Sequence, residues 1–216
     1  MLLCSMTDPA KGGRMKVWFI THPEVAIDPA VPVPEWPLSE KGRQRATAML
    51  RQPWVPRLQF LACSRERKAI DTAEILATHT DLPIAMFEGL EENDRSATGY
   101  LPPAEFQATA DRFFANPDES IRGWETARAA QARIVAAVDR VVAAAAPLGG
   151  DIAIVAHGGV GALLLCHLKG CAISRREDQP GSGGGNYFVF DMPQGRLHCG
   201  WRAIDAIEAP VLAAAG

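Results

Sequence analysis

The chain has 216 residues, of which 48 % are apolar and 22 % charged, with a formal net charge of −3. That length can bury a sizeable core and lies within the range of about 50–250 residues usual for one domain. The mildly negative balance excludes a general attraction to nucleic acid or anionic membranes, so any anion site has to be local.

Residues 1–14 show no periodicity and read as a disordered or non-native tail, without the apolar stretch and cleavage site of a signal peptide. A single domain is expected over residues 15–216. Residues 16–20 (KVWFI) form the short apolar run of a buried strand. The next stretch carries Pro23, Pro29, Pro32, Pro34 and Pro37 and reads as a loop. Ser39 is a suitable N-cap for a helix reaching about residue 51, with Glu40 near its positive end. Residues 58–63 (LQFLAC) read as a second strand and 65–78 as a helix with Ala69, Ile70, Ala73, Ile75 and Leu76 on one side. Residues 83–87 form a short third strand, and 88–103 are loop-like. Helical patterns return at 104–115 and at 124–146, the latter rich in Ala and free of Gly and Pro. Residues 151–156 (DIAIVA) read as a buried strand, 161–168 as a helix and 181–185 (GSGGG) as a flexible loop. Two last strands follow at 186–191 and 197–204. Strands alternating with helices predict an α/β fold: a three-layer α/β/α sandwich around a mainly parallel sheet, its final pair able to include an antiparallel edge. No stretch of ~20 apolar residues suited to a membrane span occurs.

The chemistry gathers at strand ends. Ligands of open α/β sheets bind beyond the carboxyl ends of the strands, and two strands here run into histidine, at Thr21-His22 and Ala156-His157. His157 leads into Gly158, Gly159 and a helix, so backbone N–H groups face whatever the histidine faces, which is an anion site. Other chemistries lack their marks. Glu24 and Asp28 lie near His22, but no Cys or His spacing typical of zinc occurs, and no cofactor is indicated. There is no Gly-x-Ser-x-Gly elbow, and GSGGG lacks the Lys-Ser/Thr ending of a phosphate loop. His167 and His198 read as packing or surface residues, and Trp36, Trp124 and Trp201 as core, with Trp36 able to roof the site. Five scattered cysteines (Cys4, Cys63, Cys166, Cys171, Cys199) suit free thiols in a reducing, cytoplasmic setting better than a disulfide framework.

Thr21-His22-Pro23-Glu24, followed by Pro37-Leu38-Ser39-Glu40-Lys41-Gly42-Arg43, resembles the opening of the histidine phosphatase superfamily, the phosphoglycerate mutase-like proteins. Its pattern there is Arg-His-Gly-Glu and then Pro-Leu-Thr-x-x-Gly. Residues 64–73 (SRERKAIDTA) resemble its Ser-Pro-x-x-Arg-Ala-x-x-Thr-Ala segment. Leu90-Glu91-Glu92 resembles its Leu-x-Glu, and Ala156-His157-Gly158-Gly159 its second histidine. The set runs in order over about residues 15–187.

The resemblance implies a two-step phosphoryl transfer. His22 would attack phosphorus and form a phosphohistidine. His157 would bind the equatorial oxygens as charge builds. Glu92 would protonate the leaving oxygen, a task near neutral pH that requires burial or a neighbouring charge to raise its pKa, with Glu91 the nearest source. Phosphate contacts are expected from Thr21, Arg65, Lys68, Arg95 and Gly158. Departures from the pattern bear on this. The Arg before the nucleophile is Thr21, the second Arg is Lys68, and Asp28 stands where an Asn binds phosphate. Lys is a point charge without the planar fork of Arg. Loss of one clamp costs about 2–4 kcal/mol of transition-state stabilisation by analogy with an oxyanion donor, and Arg95 is a candidate to compensate. Two functions follow. One is a phosphatase acting on a small phosphomonoester. The other is a degenerate member that binds an anionic ligand or partner without turnover. A mutase is disfavoured, since the likeness to dedicated mutases stops at the shared core.

Overall fold

A computed structural model describes residues 15–181 and 183–206; the tail expected at residues 1–14 lies outside the described residues, as does Cys4. Six strands form one sheet: β1 (Met15–Thr21), β2 (Leu58–Cys63), β3 (Ile84–Met86), β4 (Asp151–Ala156), β5 (Asn186–Met192) and β6 (Arg196–Ala203), in the order β3-β2-β4-β1-β5-β6. The first four in that order run parallel, and β5 pairs antiparallel with both β1 and β6. Only β5 is reversed, because a short turn returns β6 in the direction of β1.

Alternation along the strands divides the core. Val17, Phe19, Ile152 and Ile154 face one side and pack on helices α4 (Ala127–Ala145) and α5 (Gly158–Leu168). Trp18, Ile20, Ala153 and Val155 face the other, against α1 (Glu40–Met49) and α2 (Arg67–Thr80). That arrangement is the three-layer sandwich, and it follows from side chains projecting to opposite faces with a period of two. Helix α3 (Pro103–Ala115) joins the starts of α4 and α5 in a third cluster built on Phe113, Phe114 and Trp124.

The local signals act as expected at several ends. Ser39 Oγ accepts the Gly42 N–H at 3.0 Å and opens α1. Thr126 does the same for α4 through Ala129 N. Helix α2 begins at Arg67 rather than residue 65, because Ser64, Arg65 and Glu66 turn the chain out of β2 before helical geometry starts. Helix α5 begins at Gly158, directly behind His157, rather than at residue 161.

Candidate active site

The three central parallel strands β2, β4 and β1 each run into a polar residue: Ser64, His157 and His22. The ladder continues one step past the strand ends, with His22 N donating to Ala156 O at 3.1 Å and Ser64 N to Val155 O at 2.9 Å. The sheet therefore sets the separation of these side chains. The rings of His22 and His157 meet edge to face, 5.2 Å apart at their centroids.

His22 is oriented by its own neighbour. Its Nδ1 lies 2.8 Å from the carbonyl oxygen of Pro23. A carbonyl only accepts, so Nδ1 carries the proton and Nε2 of the neutral ring is a bare lone pair. Burial, and then the nearby His157 and Lys68, lower the His22 pKa to about 3, so the ring is neutral at physiological pH. The backbone behind it is held by the glycine-rich loop: Gly185 N donates to His22 O at 2.9 Å, and Gly184 has a φ of +67°. A Cβ on Gly184 would lie 2.2 Å from that same carbonyl oxygen. Gly184→Ala is expected to lower the thermal midpoint through a loss of about 1–3 kcal/mol. An unchanged melt would show that the loop yields freely.

His157 is fully buried. Its Nε2 lies 2.8 Å from Ser64 Oγ and 3.5 Å from Glu66 Oε1, and its Nδ1 has no hydrogen-bond partner among the described residues. Burial is the main cause that lowers its pKa, with Lys68 and Arg95 acting in the same direction and Glu66 and Glu92 opposing. The Glu66 carboxylate is ion-paired with Lys68, whose ammonium also donates to Val33 O at 2.9 Å. Burial pushes the Glu66 pKa up. The larger combined effect of His157, Lys68 and the Glu92 N–H holds it well below the usual carboxylate range.

Glu92 sits at the amino end of α5. Its carboxylate accepts Gly159 N and Val160 N, each at 2.9 Å, and Asn93 N at 3.0 Å. Arg95 lies 3.6 Å away, its guanidinium stacked over Phe106 and Trp124. Burial raises the pKa of Glu92, but Arg95, His157 and the backbone donors outweigh it and leave the group below its ordinary value. The elevated pKa that proton donation calls for is absent, because Arg95 lies beside the carboxylate and the carboxylate occupies a helix N-terminus, where negative charge is favoured. Glu91 does not help: its carboxylate turns back onto Gly89 N, away from Glu92. The loop itself is pinned by Arg133 of α4, which donates to the carbonyls of Gly89, Glu91 and Glu92 while paired with Glu125. Gly159 is needed here, since a Cβ on it would come within 2.6 Å of Glu92 Oε1.

With these positions described, the relationship to known proteins is clear. The sequence model of the histidine phosphatase superfamily (branch 1) matches residues 18–192. The chain belongs to this superfamily. No curated protein matches the sequence. Among solved structures, mycobacterial glucosyl-3-phosphoglycerate phosphatase with inorganic phosphate is similar with a TM-score of 0.70 at 22 % identity, covering 89 % of this chain and 99 % of that one. YhfR of Bacillus stearothermophilus gives 0.71 at 22 %, covering 90 % and 98 %. Phosphoglycerate mutase from Bacillus anthracis gives 0.65 at 18 %, covering 88 % and 93 %. At these identities the likeness is one of fold, the phosphoglycerate mutase-like sandwich.

The remaining superfamily positions divide into those near the histidines and those turned away. Lys68 is within the cluster but committed to Glu66 and Val33. Thr21 is fully buried, and its hydroxyl is engaged with Asn186 N at 2.9 Å and Gln179 Oε1 at 2.8 Å rather than facing the histidines. Arg65 is an exposed rim residue 3.6 Å from Glu88. Arg95 belongs to the Glu92 side of the site and does not replace the Arg absent at Thr21. Gly158 lies under Gln179, whose Nε2 would be 2.1 Å from a Cβ there. Asp28 is exposed and caps its own turn through Ala30 N. Trp36 is buried against Tyr100, which joins the Pro-rich loop to the loop after Glu92. Sequence reasoning missed Glu66, Gln179 and Arg133. For Glu66 a signal existed, an acidic residue two positions before the Lys that stands in for Arg; for Gln179 and Arg133 there was none. No group of three or more His, Cys, Asp or Glu side chains suited to a metal occurs among the described residues.

Proposed function

We propose that this chain is a phosphatase that hydrolyses a small phosphomonoester through a phosphohistidine on His22. The observation that carries the reading is the His22 Nδ1 contact with the Pro23 carbonyl at 2.8 Å, which leaves Nε2 as an unprotonated nucleophile. In the first step Nε2 forms a bond to phosphorus, the P–O bond to the leaving group breaks, and Glu92 supplies the proton to the departing oxygen. In the second, water attacks phosphorus while the Glu92 carboxylate accepts its proton, the Nε2–P bond breaks, and phosphate leaves with His22 restored as a neutral ring. His157, whose ring meets that of His22, and Lys68 are the groups assigned to the phosphoryl oxygens on this reading, with Gly158 and Arg95 as further contacts. The substrate class is supported by superfamily membership together with a structural neighbour named for a phosphorylated sugar acid.

A second reading keeps its own support. The Glu66 carboxylate sits among the groups that would meet phosphate and balances Lys68, as Glu92 balances Arg95. A site with so little free positive charge suits a member that binds an anion without turnover.

The deciding experiment is phosphoryl trapping. The protein is incubated with small phosphomonoesters, quenched in alkali, and searched by mass spectrometry for an acid-labile phosphate. We expect it on His22. Released phosphate without any phosphohistidine would remove the covalent route, and neither product from a folded protein would favour the binding role. The free cysteines at 63, 166, 171 and 199 support a cytoplasmic setting for the activity, and no described helix is long and apolar enough to cross a membrane.

A further inference from the structure

Glu66 divides its two oxygens between different tasks. Oε2 binds the Lys68 ammonium. Oε1 accepts the Glu92 N–H at 2.8 Å and lies 3.5 Å from His157 Nε2. With Ser64 Oγ and Glu66 Oε1 both on the Nε2 side of His157, the neutral ring holds its one proton on Nε2. Nδ1 is then a buried lone pair with no partner, a state that is costly unless a ligand answers it. A lone pair repels an anion. A proton on Nδ1 turns it into a donor and the ring into an imidazolium facing the Glu66 carboxylate.

We propose that Glu66 is a positioning residue that lets His157 take up a proton when a tetrahedral dianion enters, so that an induced imidazolium supplies the charge that Thr21 does not. The inference rests on the phosphatase reading only for where the anion sits, beside His22 and His157, and requires no turnover. One proton from solvent becomes bonded to His157 Nδ1. Nε2–H faces the carboxylate, Nδ1–H faces the anion, and no other covalent bond changes.

The titratable and charged groups facing His157 come from three elements. Glu66, at the start of α2, and Glu92, from the loop after β3, favour the cation; Lys68 of α2 and Arg95 of that loop oppose it, as does burial. His22, beyond β1, is neutral. Together these influences hold His157 below its ordinary pKa, burial being the largest. A dianion at hydrogen-bond distance adds two negative charges in a poorly solvated place and reverses the balance.

Sulfate is the probe, because it remains a dianion across the working range and any proton taken up must sit on the protein. Calorimetric titration of the full chain with sulfate, in buffers of different ionisation enthalpy, counts that proton. We expect about one proton per sulfate near neutral pH and an affinity that falls about tenfold per unit as pH rises. Nitrogen NMR should show both ring nitrogens of His157 moving to the protonated range on binding. Glu66→Gln should abolish the uptake and flatten the pH dependence, and Glu66→Asp should recover part of both. Because Glu66→Gln also frees Lys68, the proton count decides and the affinity does not. Proton-free binding by the wild type, an unchanged count in Glu66→Gln, or no sulfate bound at any pH would each overturn the proposal. The wild-type count and the NMR need no variant, so a poorly folded Glu66→Gln does not shelter it. A parallel assay of His22-dependent turnover separates the two readings. Turnover with proton-free binding defeats this inference alone; proton-linked binding without turnover defeats only the phosphatase.

Discussion

Replacing His22 with alanine should lower turnover of any phosphomonoester by about 10⁴–10⁶-fold, the scale of losing a covalent nucleophile. Among the described residues the side chain hydrogen-bonds only the carbonyl of the next residue, so its removal should cost at most about 1 kcal/mol of stability. A circular dichroism melt close to that of the parent, alongside the lost rate, would separate chemistry from folding. An alanine variant that turns over like the parent would remove His22 from the reaction. On the phosphatase reading the same residue would set the acid boundary of activity. Its pKa of about 3 lies below the ordinary 6.5, mainly through burial and then through His157 and Lys68. Between those values the unfolded chain holds more protons than the native one, so His22's contribution to stability is present above 6.5 and is lost as pH falls toward 3. The nucleophile itself is available over that whole window.

Glu92→Gln should give the second largest loss, about 10²–10⁴-fold on alkyl phosphomonoesters, which need a proton on the departing oxygen. The loss should shrink for an aryl phosphate whose leaving group is stable as an anion. A loss independent of the leaving group would assign Glu92 to structure instead. Structure does contribute here, because the carboxylate takes both Gly159 N and Val160 N at the head of α5. An amide oxygen without charge should weaken that cap by about 0.3–1 kcal/mol. The pH dependence follows from the same contacts. Since Glu92 is held below its ordinary 4.5, chiefly by Arg95 and His157 against the opposing effect of burial, it is ionised at neutral pH. Its acid form thins out about tenfold per unit above its pKa, so kcat/KM should fall at that rate as pH rises through the neutral range, once substrate ionisation near pH 6 is allowed for. Glu92→Gln should flatten that limb. On stability the sign is the usual one for a depressed carboxylate: the cap is at full strength above 4.5 and is lost as pH falls through the native value.

The two effects share a geometric cause. Each reactive group is oriented by backbone, His22 by the Pro23 carbonyl and Glu92 by the α5 amides. Positive charge comes from Lys68 and Arg95, and both already face a carboxylate. An entering phosphoryl group must displace those pairings or bring a proton with it. An acid-shifted optimum therefore follows.

By itself the sequence determined whatever depends on neighbours along the chain. Strands β2 and β4 occupy residues 58–63 and 151–156 as read, because the ends of both, residues 61–63 and 152–156, are apolar runs buried on both faces. Ser39 caps its helix because a short hydroxyl before a helical pattern has one favoured use. The two histidines could be singled out because each ends such a strand. What only the tertiary structure decided depends on strand order and on helix ends meeting loops. Placing β4 between β2 and β1 brings Ser64 and Glu66 to His157, and β5 was free to run backwards because an apolar pattern carries no direction. Gln179 reaches Thr21, and Arg133 fixes Glu92, across distances along the chain that no motif spans. The charge state of Glu92 belongs to the same class: a glutamate in a loop has an ordinary pKa until a helix N-terminus and Arg95 are placed against it.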